Sequence, residues 1–454
     1  MPMKNQQQIT LGTAPVGKLL LKLAIPTITA QLISVLYNMV DRIYIGHIPE
    51  VGTDALTGVG VCLPIIIIAV SFAALTAAGG APRASIFMGK GENDTAEKIL
   101  GSCTVAVTLM GLILTAVFFI WGYDLLSLFG ASENTIEYAC DYMFIYAFGT
   151  VFVLISLGLN TFITAQGFTL ISMLSVVIGG VSNIVLDPIF IFAFGWGVKG
   201  AALATVISQA LSAAWILRFL TGKKTILKIR KVNLRLDNKI YLPCLALGLA
   251  PFVMQSTEGL ITICFNYSLL KYGGDIAVGA MTILCSIMQL SMLPLTGLAQ
   301  GTQPIISFNY GAENYDRVKK AFSILLKASI IYGTVIWALS VFMPNLMVSI
   351  FTSDVLLKEY AVSALRIYMA TSLLFGIQVA CQQTFLALGN AKTSLFLAAL
   401  RKLILLIPLI FILPQFMTQQ DVAVFTAEPV ADFLAVAATS ILFYRFIKKT
   451  INKK

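Results

Sequence analysis

The chain has 454 residues, of which 58% are hydrophobic and only 11% charged, with a net charge of +10 and a mean hydropathy of +0.88. A soluble domain carries about 25% charged residues, so this composition excludes a soluble globular fold and makes lipid the solvent for most of the chain. The positive balance does not indicate nucleic acid, because the basic residues cluster between apolar stretches, where they suit an anionic membrane face.

Windows apolar enough to cross about 30 Å of hydrocarbon recur twelve times. The expected spans are 18–46, 55–80, 99–121, 138–164, 170–194, 198–219, 241–269, 278–308, 321–344, 358–386, 395–416 and 425–447. The polar start runs into the first span from Val16 with no small-residue cleavage site, so no cleaved leader is expected. Short connections such as Gly89 to Asp94 and Gly311 to Asp316 separate the spans. The segment Lys223 to Lys239 is the longest basic stretch and reads as a solvated linker between two halves. With both termini in the cytoplasm, the outer segments hold only Arg42, Lys199, Lys271, Lys358 and Arg366, leaving 26 of 31 Lys and Arg inside. An odd number of spans breaks this asymmetry.

The sequence repeats itself across the linker. At an offset of 222, Pro82 meets Pro304, Gly89 meets Gly311, Lys98 meets Lys320 and Phe129 meets Phe351. Glu137-Tyr138-Ala139 likewise meets Glu359-Tyr360-Ala361. Six spans per repeat give a parallel repeat about an axis along the membrane normal, a transporter design with its site between or within the halves. The expected organisation is 1–222, a six-helix lobe; 223–240, a basic linker; and 241–454, a second six-helix lobe.

Four acidic residues fall within or near apolar helices: Asp41, Asp187, Glu258 and Asp432. Each costs a few kcal/mol there if charged, and such residues ordinarily mark a site. Asp41 lies roughly 8 Å inside the outer end of the first span, and Asp187 and Thr205 lie roughly 10 Å inside the fifth and sixth, at 1.5 Å per residue. Asn183 shares a helix face with Asp187, and Pro188 frees a backbone carbonyl near residue 184. Two carboxylates, an amide and a hydroxyl at one depth suit a proton or a hard cation such as Na⁺. Asp432 reads as lying near the outer start of its helix.

These residues carry a family resemblance. Tyr-Asn-Met-Val-Asp-Arg-Ile-Tyr-Ile-Gly-His (37–47), Asn-Ile-Val-Leu-Asp-Pro-Ile-Phe-Ile-Phe (183–192) and Gly-Val-Lys-Gly-Ala-Ala-Leu-Ala-Thr (197–205) resemble motifs of the multidrug and toxic compound extrusion (MATE) family. Lys-Tyr-Gly-Gly-Asp-Ile-Ala-Val (271–278) and Gln-Pro-Ile-Ile-Ser-Phe-Asn-Tyr-Gly-Ala (303–312) look like its DinF-like branch, nearest the MepA-type members. The resemblance covers essentially the whole chain. It implies an all-α integral membrane protein, with twelve transmembrane helices in two pseudo-symmetric six-helix lobes forming a V. It also implies efflux of lipophilic or cationic drugs in exchange for H⁺ or Na⁺, and thus antibiotic resistance. Carried over by motif, the coupling-ion site is Asp41, Asn183, Asp187 and Thr205, and these same residues hold any Na⁺. Tyr37 and Asn160 match positions near the family's substrate cavity, although Asn160 counts closer to the inner side. Glu258 sits near an acidic position used by another branch.

Other motifs carry less. Gly12 to Lys18 reads G-x-x-x-x-G-K, but Leu19 replaces the metal-binding hydroxyl and no strand precedes it. A single histidine, His47, excludes paired-histidine metal sites; it reads as a structural or capping residue at an outer helix end, and no Ser/His/Asp or Cys/His set assembles around it. The seven cysteines form no CxxC pair and read as buried reduced side chains. The sequence thus points to a cell-membrane antiporter, a monomer with no cofactor beyond its coupling ion, not an enzyme. Its partners are small-molecule drugs and membrane lipids. The alternative, a flippase for lipid-linked precursors of the wider superfamily, requires a cationic cleft, and the second half is expected to be mainly an apolar wall.

Overall fold

The computed structural model describes residues 3–450, and those residues are helical almost throughout. A short helix, Met3–Thr13, precedes the first span, Val16–Gly46. Spans 2 to 6 are Gly52–Gly89, Asn93–Leu128, Ile136–Ala165, Thr169–Ala193 and Gly197–Thr221. A continuous helical stretch then runs over Asn238–Gly311, 74 residues. At 1.5 Å per residue it reaches about 110 Å, over three times the thickness of hydrocarbon. It breaks at Gly274, whose φ of 66° and ψ of −164° lie outside helical space. Such a conformation favours glycine. Spans 7 and 8 are therefore 238–273 and 275–311. Span 9 is Tyr315–Phe342. Span 10 is broken, Val355–Tyr368 and Ser372–Ala387 meeting at 45°. Spans 11 and 12 are Ala391–Gln415 and Gln420–Lys449. Among the described residues the count is twelve.

Two large cores form, one centred on the first half and reaching Ile305 and Phe308 of the second, the other wholly within the second half. Phe162, Leu100, Met88 and Ile216 are fully buried in the first. Phe265, Leu284, Leu365 and Phe425 fill the second. The helices are apolar on nearly every face, so a side exposed in the structure is no liability once lipid covers it. Among the described residues three spans contain π-helical turns: Ala74–Ala78 in span 2, Ile189–Ala193 in span 5 and Leu400–Leu406 in span 11. The second of these follows Pro188 directly.

The lobes meet at the end that carries the 90–92 and 312–314 turns, the basic end. Spans 1 and 8 cross there on small residues: a Cβ at Gly297 or Gly301 overlaps the backbone of Ile28 or Ala24. Thr27 Oγ1 donates to Gly297 O at 2.6 Å, and Gln31 Nε2 donates to Gln300 Oε1 at 3.0 Å. The N-terminal helix bridges the same end. Gln8 Nε2 donates to Met88 O of span 2 at 3.1 Å. Leu11 O accepts from Asn309 Nδ2 at 3.0 Å and from Arg317 Nη2 at 3.1 Å, and Ala14 O accepts from Arg317 at 2.8 Å.

The linker is not a solvated loop. Gln166 Oε1 accepts from Thr225 Oγ1 and from the N–H groups of Ile226 and Leu227, each at 2.8 Å. All three linker residues are fully buried. Buried Glu97 pairs with Arg230 Nε at 2.6 Å and accepts from Lys228 N at 3.2 Å. The basic side chains hide a strap fixed across the basic end of the first lobe.

Candidate functional site: a carboxyl pair in the first lobe

Spans 1, 5 and 6 bring four polar side chains together inside the first lobe. Asn183 Nδ2 donates to Asp187 Oδ1 at 3.0 Å and reaches Thr205 Oγ1 at 3.4 Å. The Asp41 and Asp187 carboxyl groups lie close enough to interact electrostatically. Asp187 is fully buried and Asn183 nearly so. Asp41 Oδ1, Asp187 Oδ2 and Asn183 Oδ1 are all buried with no donor. Buried acceptors are ordinarily paired, and an orphaned one costs about 1–3 kcal/mol. Three buried acceptors without donors thus lie close together where spans 1 and 5 meet.

Span 4 adds two residues that the sequence reading passes over. Tyr142 and Tyr146 are almost fully buried and stack with ring centroids 6.1 Å apart. Tyr142 stands beside Thr205 and Asp41, and Tyr146 beside Tyr37. Tyrosines four residues apart inside an apolar helix are the available signal.

One turn from the carboxyl pair toward the basic end lies a small cavity of about 50 Å³. Tyr37, Asn160, Ser156, Ser175 and Gln209 line it. Tyr37 lies one turn before Asp41, with its side chain beside Gln209. Asn160 Nδ2 donates to Ser172 O at 3.3 Å, while its Oδ1 is buried without a partner. Tyr37 and Asn160, both expected at a substrate cavity, line the same small space. Its volume suits one or two waters, far below the roughly 300–1,000 Å³ of a drug pocket. Gln209 and Ser156, bonded to each other at 2.7 Å, are not legible in the sequence.

Glu258 is not part of this cavity. It lies in the second lobe, where its carboxylate pairs with Lys402. Arg401 beside it bonds Asp432 Oδ1 at 2.5 Å and Glu428 Oε1 at 3.3 Å. The second half is accordingly not an apolar wall. Span 12 begins at Gln420, so Asp432 lies twelve residues in, about 18 Å, rather than near the helix start. Arg401 and Lys402, counted among the inner basic residues, sit ten residues or more inside span 11. His47 closes span 1, with Nδ1 2.8 Å from Ile43 O. Among the described residues no group of three His, Cys, Asp or Glu is arranged to hold a metal.

A family model described as MatE matches residues 26–189 and, a second time, residues 251–412. The chain belongs to this family. It is a multi-pass membrane transporter and not an enzyme. The two matched segments fall one in each lobe, in keeping with the repeat. The multidrug export protein MepA of Staphylococcus aureus (strain N315) is 26% identical over 417 residues, 90% of each chain. MepA of Staphylococcus haemolyticus (strain JCSC1435) is 24% identical over 436 residues, covering 96% of this chain and 95% of that one. Among solved structures, a ligand complex of the MATE multidrug transporter DinF-BH is 33% identical, covers 96% of both chains and superposes with a TM-score of 0.88. A MATE in the bent conformation, 22% identical, gives a TM-score of 0.91 over 97% of both chains and shows the fold: two six-helix lobes in a V.

Proposed function

We propose that this MATE transporter is a secondary antiporter that exports lipophilic, often cationic compounds in exchange for inward H⁺ or Na⁺. Its relatives named as multidrug export proteins support the drug half of that reading. One observation supports the ion half: Asp41, Asn183 and Asp187 each keep one buried oxygen without a donor. Thr205 completes the set through its bond from Asn183. Two facing carboxylates in a low dielectric repel unless a proton or a cation lies between them. Occupancy of that place thus changes the force between spans 1 and 5, and with it the shape of the cavity beneath. Ion and drug favour different states, which is all that exchange requires.

The basic end is read as cytoplasmic, because Lys and Arg accumulate there. The structure is then closed toward the cytoplasm, with Asp41 toward the outside. The drug enters the cleft between the lobes or the cavity of Tyr37 and Asn160 after it has widened; Glu258 offers a carboxylate on the second lobe. The protein works as a monomer in the cell membrane.

Efflux measured in proteoliposomes under separately imposed H⁺ and Na⁺ gradients tests this reading. Drug movement driven by one gradient supports it. Movement of a lipid-linked pyrophosphate with no movement of any drug overturns it.

A further inference from the structure

The second lobe carries a charged cluster on spans 7, 11 and 12. These are the repeat counterparts of spans 1, 5 and 6, which carry Asp41, Asp187 and Thr205. The correspondence follows from topology and from the two family matches, 26–189 and 251–412, which open on equivalent prolines. The members are Glu258 on span 7, Arg401 and Lys402 on span 11, and Glu428 and Asp432 on span 12. Four of the five are withdrawn from the surface. Side-chain exposure is 15% for Arg401, 7% for Lys402, 5% for Glu428 and 3% for Asp432. Glu258 alone is open, at 61%, on a face of span 7 that also exposes Gln255 and Thr262. Cys285 of span 8 and Tyr368 of span 10 complete the titratable groups facing the cluster.

Three acids face two bases, so one negative charge is in excess. Arg401 is shared between Glu428 and Asp432, and Lys402 is taken by Glu258 and by Met254 O at 3.1 Å. Asp432 Oδ2 is buried and has no donor. Buried ion pairs are a weak source of stability against apolar packing. Charges at membrane depth ordinarily mark a site. The backbone supports that reading, since the π-helical turn Leu400–Leu406 places Arg401 and Lys402 on consecutive positions of a distorted helix, and such turns gather at functional sites.

We propose that this cluster is a second proton-binding site, separate from the carboxyl pair of the first lobe, and that it takes up one proton between Asp432 and Glu428. The excess charge sets the number at one. A proton suits it better than a metal ion, because Arg401 and Lys402 already fill the cationic positions and repel a further metal. The acid so formed places its O–H where Asp432 Oδ2 now lacks a donor, and the cluster becomes neutral. Glu258, open on one side and paired with Lys402 on the other, is the point of entry. The proposal does not depend on the first-lobe site being the coupling site.

Proton uptake by the purified, detergent-solubilised full chain tests it. The comparison is made in the D41N/D187N background, which removes the first-lobe carboxyl pair. On acidification across the pH range in which the chain stays folded, this background takes up about one proton that the further substitution Glu428→Gln or Asp432→Asn abolishes. Uptake unchanged by either added substitution overturns the proposal. Should neither variant fold, the background alone decides by infrared spectroscopy. A carbonyl band of a protonated, solvent-shielded carboxyl that grows on acidification is expected, and its absence across the same range overturns the proposal.

Discussion

Gly89 and Gly311 occupy the same place in the two repeats, and each meets the opposite lobe in the same way. A Cβ on Gly89 overlaps the carbonyl oxygen of Phe308, and one on Gly311 overlaps the carbonyl oxygen of Ile86. Ile86 and Phe308 are themselves repeat counterparts, separated by the same offset as the two glycines. The repeat in the sequence thus becomes a two-fold contact at the basic end, where backbones touch because no side chain stands between them. A closure made this way opens as a unit, since neither glycine can be released without the other.

Substituting either glycine by alanine forces backbone atoms apart. Overpacking of this kind costs about 1–3 kcal/mol. G89A and G311A are expected to lower thermal stability by similar amounts and to raise cysteine-label access to the basic end of the cleft. A stable G311A beside an unstable G89A contradicts the symmetric contact.

The N-terminal helix is tied to the second lobe by Arg317, which donates to Leu11 O and Ala14 O and bonds Asn309 Oδ1 at 2.9 Å. Bonds from a charged donor are worth about 1.5–3 kcal/mol each. Arg317→Ala is expected to accelerate amide hydrogen exchange and proteolysis over residues 8–14 while the twelve spans stay protected. Unchanged exchange there contradicts the bridge.

One side-chain oxygen, Gln166 Oε1, holds three donors of the strap. Gln166→Ala leaves the buried N–H groups of Ile226 and Leu227 without an acceptor, at about 1–3 kcal/mol for each. A clear loss of melting temperature is expected, with new protease cuts within 223–237. Mutating exposed Lys223 or Lys224 should change neither.

Removing one partner of a buried ion pair costs about 3–5 kcal/mol, because the other charge stays buried. Arg401→Met strands both Glu428 and Asp432. It is expected to destabilise the protein strongly, and R401M combined with E428Q and D432N should restore most of the loss. Equal stability of the single and triple variants contradicts the shared pairing.

Much of this is legible in the sequence, for reasons that differ by element. Twelve apolar windows and the offset of 222 yield the spans and the two lobes, because lipid imposes length and composition on every crossing. Asp41, Asn183, Asp187 and Thr205 can be placed at one depth by counting residues along straight helices. Counting fails where a helix begins early. Span 12 starts at Gln420 rather than 425, which hides Glu428 and sets Asp432 too shallow. Arg401 and Lys402 read as inner charges, because nothing in sequence shows that Asp432 and Glu428 on the next span lie opposite them. Gln209, Ser156 and Tyr142 carry no charge, so their burial leaves no mark in composition. In the linker, two apolar residues, Ile226 and Leu227, are masked by their basic neighbours.

The proposed coupling site is tested most directly by one comparison. Drug efflux is measured in proteoliposomes under imposed H⁺ or Na⁺ gradients for the wild type, Asp41→Asn and Asp187→Asn. Each variant is first shown to be folded and inserted like the wild type. The wild type is expected to respond to at least one gradient, and neither variant to either. Gradient-driven efflux at the wild-type rate from D41N or D187N contradicts the assignment.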